Sequence, residues 1–355
     1  MPRGGFNSQL IEHMFYHGGM RWDALSLDGQ DPGLFGQPVT VDTPEFRGIT
    51  FHEIRAKSII NKVPGASRVP FTWTINPYRG CSHACRYCFA RKTHTYLDFD
   101  AGHDFDSQIV VKVNAPELVR RELAAPRWAG EHIAMGTNVD CYQRAEGRYQ
   151  LMPGIIEALR DAANPFSILT KGSLILRDLP LLEEAAERTE VGAAVSVGFV
   201  DKELWRLIEP GTPSPHKRLE VCATLGEHGI GCGVLMGPIV PYLTDTPRQL
   251  EAAVRSIAEA GATSVSAIVL HLRPGAREWF MDWLREARPE LVAPYERLYG
   301  RGAYAPKDYQ RRISAKVAEL ADAYGIGDRR NPRRPRTVPA PATPPRPVAE
   351  QLPLM

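Results

Sequence analysis

Asn76–Arg91 reads NPYRGCSHACRYCFAR and holds three of the chain's six cysteines, Cys81, Cys85 and Cys88. Three residues separate the first pair and two the second. Thiolates this close can grip a metal centre, but a closed tetrahedral site needs four ligands. Either a fourth ligand comes from elsewhere or one metal position stays open for chemistry. One reading is a zinc knot completed by His83, His94 or a distant cysteine. Zinc ligands usually come as two separated couples. No second couple follows here: Cys141 is isolated, and nine residues separate Cys222 from Cys232. A second reading, buried apolar cysteines, sits poorly with the neighbouring Arg79, Ser82, His83 and Arg86. The third is an open iron–sulfur cluster. Three thiolates would hold three irons of a 4Fe-4S cube and leave the fourth iron free for a small molecule.

The whole chain bounds these readings. At 355 residues it can bury a large core, as one α/β barrel with extensions or as two smaller domains. Its 43% hydrophobic and 24% charged residues are those of an ordinary globular protein. A formal net charge of +2 implies no general attraction to nucleic acid or membrane. No apolar run approaches a transmembrane helix. The opening MPRGGFNSQLIEHMFYHGG lacks the apolar core of a signal peptide. The expected location is the cytoplasm, where thiols stay reduced and clustered cysteines read as metal ligands.

Residues 1–70 read as an irregular N-terminal extension. It has a short helix near Gln9–Tyr16 and an extended piece over 46–70 that runs into a Gly/Pro loop. From Phe71 a rhythm begins. FTWTIN (71–76), HIAMGT (132–137), FSILTK (166–171), VGAAVSVGF (191–199), GIGCGVLMGPIVP (229–241) and SVSAIVLHL (264–272) read as strands. Helices are expected over 115–123, 151–163, 179–188, 201–209, 216–229 and 246–259, with Thr246 as an N-cap and Pro247 in the first turn. Several strands are almost continuously apolar, as in a parallel sheet covered on both faces. Six units are too few for a closed eight-stranded barrel. The expected fold is therefore an open, partial (β/α)6 barrel over 71–273, with a doubly wound sheet as runner-up. Two further helices, around 277–286 and 306–324, form a C-terminal extension over 274–327. From Asp328 a Pro/Arg-rich tail is too poor in apolar residues to order itself.

The spacing Cys-x3-Cys-x2-Cys, with Tyr87 before the last cysteine, resembles the signature of the radical S-adenosylmethionine (radical SAM) superfamily. Its place after the first strand of a six-unit β/α array resembles that family too. The run NPYRGCSHACRYCFAR, KTHTYL, VVKVNAPELVRREL is similar to one branch, the DNA-repair-photolyase-like proteins related to spore photoproduct lyase. MGTNVDCYQRAEG (135–147) resembles that branch's Gly-Thr…Asp-Pro-Tyr-Gln-Pro…Glu pattern, and EPGTPSPHKRLE (209–220) and the Gly-Pro-Ile-Val-Pro exit at 237–241 also match. The likeness covers about residues 50 to 273.

The resemblance implies a partial TIM-like barrel whose Cys81, Cys85 and Cys88 ligate a 4Fe-4S cluster. S-adenosylmethionine (SAM) would chelate the free iron through its methionyl amino and carboxylate groups. An electron from the cluster would then release a 5′-deoxyadenosyl radical, which takes a hydrogen atom from the substrate. Tyr87 would lie against the adenine or the cluster edge. Gly136, Thr137, Asn138 and Asp140 would face the amino group; the alternative is a loop that caps the next helix. Ser196 is expected near the ribose. Arg218 is expected at the carboxylate, which suits a guanidinium, or otherwise on a solvated helix face. Met236 and Gly237 would border the adenine or else be core and turn, and Lys171 would face the substrate or cap its strand. Cys141 departs from the branch pattern: a thiol there would return a hydrogen atom to a product radical, or would simply be buried. Cys222 and Cys232 read as core.

The expected activity is thus a radical SAM enzyme with a flavodoxin- or ferredoxin-type electron donor and an unidentified substrate. The alternatives are a lyase acting on nucleic acid, whose phosphate contacts would need a basic stripe that the globular core lacks, and a non-catalytic, metal-bearing binding module.

Overall fold

The computed structural model describes residues 39–40, 46, 48–64 and 69–327. The expected helix near Gln9–Tyr16 and the tail from Asp328 lie outside the described residues. In chain order the strands are β1 (Val39–Thr40), β2 (Thr50–Ile54), β3 (Ile60–Lys62), β4 (Trp73–Ile75), β5 (Tyr78–Arg79), β6 (Gln108–Lys112), β7 (Ile133–Met135), β8 (Phe166–Thr170), β9 (Val191–Ser196), β10 (Cys232–Ile239) and β11 (Ser264–Val269).

Six of these, β4, β7, β8, β9, β10 and β11, pair in parallel and in sequence order, with β3 antiparallel on the outer edge of β4. They correspond to the six strands read from Phe71 onward. Because the order never reverses, there is no topological switch point and the doubly wound alternative falls. Among the described residues β3 and β11 do not pair, so the barrel stays open. All three residues of β7 are buried, as a strand covered on both faces requires.

The helices between the strands follow their sequence signals. Ala115–Leu123 carries its proline in the first turn and packs on Leu151–Asp161, which packs on Leu179–Arg188. Pro247–Glu259 begins at Thr246, whose hydroxyl accepts from the Gln249 N–H at 3.3 Å in a capping box. Ala276–Ala287, Val292–Leu298 and Lys307–Ala323 follow the barrel, and the last packs on β11.

A second sheet, β1-β2-β6-β5, was not expected. β6 runs parallel to β2, and β5 pairs antiparallel to it through Tyr78 with Val111 and Arg79 with Val110. Its Ile109, Val110 and Val111 are fully buried. This sheet fixes the chain just before Cys81.

Candidate active site

The carboxyl ends of the parallel strands, where a β/α barrel presents its loops, open onto one cavity of about 180 Å3. Cys81, Cys85, Tyr87 and Cys88 form one side, with Gly136–Asp140 beyond β7 and Leu169–Lys171 at the end of β8. Ser196, Leu235, Gly237 and Pro238 continue the wall, and Ile268, Leu270 and His271 complete it. Strand alternation explains the selection: Leu169 and Lys171, Leu235 and Gly237, and Ile268 and Leu270 are each two apart and share a face.

The cysteine loop is held from several directions. The Cys81 N–H donates to the Phe105 carbonyl at 2.9 Å and the Arg86 N–H to that of Ile208 at 2.9 Å. The buried Gln143 amide donates to the Gly80 carbonyl at 2.9 Å and accepts from the Ser82 N–H at 3.0 Å. Gly80 has φ +76°, and a side chain there would lie 2.8 Å from the Gln108 carbonyl oxygen. Glu146, also buried, accepts from the Tyr78 hydroxyl, from the Leu151 and Met152 N–H groups, and from Arg177 at 2.6 Å. Gln143 and Glu146 of the 135–147 motif therefore clamp the cysteine loop and strand β5.

Burial raises all three thiol pKa values: Cys81 strongly, Cys85 to about 12 with Lys171 pulling the other way, and Cys88 with Arg91 opposing. Thiols of this kind hold their protons until a cation displaces them, so metal loading releases protons. His94 is packed against Phe99 and Phe105 and its Nε2 bonds the Gln108 carbonyl oxygen, while His83 sits 3.4 Å from Asp140. Among the described residues no group of three or more His, Cys, Asp or Glu is arranged to hold one metal ion. A cubic cluster takes one thiolate per iron, and the three thiols, Cys81 and Cys85 buried and Cys88 partly buried, face one cavity as such a cluster requires.

The loop after β7 lies against β8. Gly136 has φ +74°, and a Cβ there would sit 1.8 Å from the Leu169 carbonyl oxygen, so only glycine fits. Asp140 accepts from the Tyr142 N–H (2.9 Å), the Thr170 hydroxyl (2.6 Å) and the Lys171 N–H (2.6 Å), and faces His83. Burial alone would raise its pKa; His83 and these hydrogen bonds outweigh it and bring it down to about 2. Its acceptor sites are thus taken by the chain's own donors, and it positions the loop. The Lys171 ammonium donates to the Ser196 hydroxyl at 3.0 Å and lies 5.7 Å from the Tyr87 ring centre. Ser196 in turn donates to the Gly237 carbonyl at 2.9 Å.

Three sequence-predicted residues do not reach the cavity. Arg218 is 1% exposed and its guanidinium is committed to Glu209 and to the carbonyls of Pro213 (3.0 Å) and Ser196 (2.6 Å). Glu209 also accepts from the Tyr87 hydroxyl. Although burial alone would raise the Glu209 pKa, Arg218 and Lys171 bring it below the usual range. Met236 is fully buried: alternation along β10 aims it away from the face that Leu235 and Gly237 share. Cys141 is fully buried and absent from the cavity wall, its thiol raised by burial and the adjacent Asp140. Cys222 and Cys232 are core, in contact with each other.

The sequence reading gave no site role to Phe89, Thr170, Ile268, Leu270 or His271. The last three had one available signal, their place at the end of the sixth strand. The His271 ring stacks on Tyr304 at 5.5 Å and tilts against Phe89 at 5.8 Å.

Comparison with known proteins bears on this geometry. The family model described as Radical SAM superfamily matches residues 75–257. An uncharacterized protein of Mycobacterium tuberculosis strain H37Rv is 51% identical over 328 residues, 90% of this chain and 96% of its own length. An uncharacterized protein of Methanocaldococcus jannaschii is 34% identical over 195 residues, 54% of this chain and 69% of its own. Among solved structures, spore photoproduct lyase complexed with dinucleoside spore photoproduct superposes with a TM-score of 0.60 at 15% identity, covering 81% of this chain and 85% of that one. A mutant spore photoproduct lyase with bound AdoMet and the same dinucleoside gives 0.60 at 14% identity, covering 82% and 85%. At such identities the likeness is one of fold.

Proposed function

The chain belongs to the radical SAM superfamily and is an enzyme of that kind; on that premise we propose that Cys81, Cys85 and Cys88 hold a 4Fe-4S cluster and that the cavity beside them takes SAM. The observation that carries this is the meeting of three thiols, two buried and one partly buried, with the β7, β8, β9 and β10 strand ends around one cavity. When bound, the reduced cluster would supply the electron that cleaves SAM to a 5′-deoxyadenosyl radical.

The chain's own residues bind and orient. Gly136, Thr137 and Asn138 offer backbone and amide groups to the methionyl ammonium. Lys171 takes the carboxylate role first given to Arg218, because among the described residues it is the Lys or Arg side chain on the cavity wall. Ser196 fixes the Lys171 ammonium and stands beside the ribose. Tyr87, whose hydroxyl is held by Glu209, presents its ring to the same ammonium. Leu235, Gly237 and Pro238 form an apolar edge for the adenine. A reductant of the flavodoxin or ferredoxin type supplies electrons. No helix among the described residues is long and apolar enough to cross a membrane, and the reading requires no membrane partner.

The substrate enters between Phe89, Ile268 and His271, the apolar and aromatic edge of the same cavity. One structure of this fold is a spore photoproduct lyase complexed with a dinucleoside, and a lyase acting on nucleic acid is the second reading. Cys141, the thiol that would have served such a lyase as hydrogen donor, lies off the cavity.

The test is anaerobic reconstitution with iron and sulfide. The wild-type chain should bind about four irons and four sulfides and show a cluster EPR signal on reduction. Cys85→Ala should keep its fold and lose that signal. A colourless wild-type chain with one tightly bound zinc, or a Cys85→Ala chain that unfolds, would overturn the reading in favour of a structural knot.

A further inference from the structure

Arg91 lies three residues past Cys88, is fully buried, and has no place in the roles above. Its guanidinium donates to the Cys85 carbonyl at 3.1 Å, to the Gly102 carbonyl at 2.7 Å, and to both oxygens of Asp106 at 2.8 and 2.9 Å. Its Nε has no partner. The rings of Phe105 and Trp279 cover it, with centres 5.2 and 4.5 Å from the guanidinium carbon. Phe105 also supplies the carbonyl that binds the Cys81 N–H. Trp279 belongs to the helix Ala276–Ala287, beyond the barrel. One side chain therefore joins the backbone at Cys85, the segment that holds Cys81, and the C-terminal extension.

A cation costs much to bury. Scaffolding alone does not require one, because an apolar side chain of similar volume fills such a space at comparable or better stability. What a guanidinium adds is a fixed charge, shielded from water by two rings, bonded to the loop that bears the thiols. Asp106 offsets that charge from the far side and is itself partly exposed, at 14% of its side chain. Reducing an iron–sulfur centre adds one negative charge, and hydrogen bonds, net charge and solvent exposure are what tune its potential.

We propose that Arg91 is a positioning residue for the cluster, setting the Cys81–Cys85 loop geometry and, balanced by Asp106, raising the cluster's reduction potential. The proposal rests on the cluster reading above, and its test separates the two.

The experiment is an EPR-monitored redox titration of the reconstituted full chain, with Arg91→Gln, Arg91→Lys and Asp106→Asn beside wild type and with iron and sulfide counted in each. Arg91→Gln should lower the ratio of reduced to oxidised cluster at fixed potential about tenfold, which for one electron is about 59 mV. Asp106→Asn, with the guanidinium uncompensated, should move the midpoint the opposite way. Arg91→Lys should restore the potential toward wild type while holding less iron, since an ammonium lacks the planar fork. Should Arg91→Gln fail to fold, the upward shift in Asp106→Asn and the near-normal potential of Arg91→Lys decide. A midpoint unchanged in fully loaded Asp106→Asn, or moved the same way by Arg91→Gln and Asp106→Asn, would overturn the proposal. A wild-type chain that takes up no iron or sulfide would overturn the cluster reading and the proposal with it.

Discussion

The two sides of the cavity are built in opposite ways. On the cysteine side the buried carboxylates and amide are committed: Gln143 to the loop backbone, Asp140 to β8 and His83, and Glu209 to Tyr87 and Arg218. On the other side, around His271, Ile268 is 44% exposed, Phe89 39%, and Tyr304, which stacks on His271, 54%. The first side is pre-organised, with these groups paired before any ligand arrives, which is how a site holds charge without later rearrangement. The second leaves apolar area open, as a surface kept for something to cover does. On the proposed reading, the fold would fix the cofactor's place and leave the substrate's adaptable.

Substitutions on the two sides should differ accordingly. The largest effect should come from the thiols: Cys81→Ala, Cys85→Ala or Cys88→Ala should abolish SAM cleavage while circular dichroism and the unfolding midpoint change little. Next is the buried ion pair. Glu209→Gln strands the Arg218 charge and should reduce stability by about 3–5 kcal/mol in denaturant unfolding; a loss under 1 kcal/mol would show that the pair does not organise this side.

Asp140→Asn should cost about 2 kcal/mol near neutral pH, from a carboxyl brought from its ordinary 3.8 to about 2. A depressed carboxyl contributes stability above its unfolded-state pKa and loses it as pH falls through the folded one. The gap between Asp140→Asn and wild type should therefore be full above about pH 4 and close toward about pH 2. A gap that widens on acidification would contradict the assignment. The smallest effect belongs to the other side: Ile268→Ala should change stability by no more than about 0.5 kcal/mol and leave SAM cleavage without substrate at the wild-type rate. A large stability loss would place Ile268 in the core and erase the contrast.

The same contrast governs what could be read beforehand. The six parallel strands and their helices were legible because each is a local pattern: apolar runs, Thr246 before Pro247, glycine exits. The meeting of the three cysteines at one cavity was legible because they are close in sequence. Strand β6 was not recognised, although its Ile-Val-Val run is fully buried, because it is a short run between the helices His103–Ser107 and Ala115–Leu123 and pairs across 58 residues with β2. Arg218 looked like a carboxylate binder; its partner Glu209 lies across a turn, and only packing shows that the two neutralise each other. Met236 against Leu235 turned on a one-residue choice of strand face, which sequence leaves open in a strand buried on both sides. His271 and Tyr304 meet through an isolated bridge between segments 33 residues apart, with no local signal to announce it.

The central claim, that the three thiols face a SAM site, is tested most directly by anaerobic incubation of the reduced, reconstituted chain with SAM, followed by mass-spectrometric detection of 5′-deoxyadenosine. The wild-type chain should form it and Cys85→Ala should form none. A wild-type chain carrying its full iron and sulfide yet forming no more 5′-deoxyadenosine than Cys85→Ala would contradict the account.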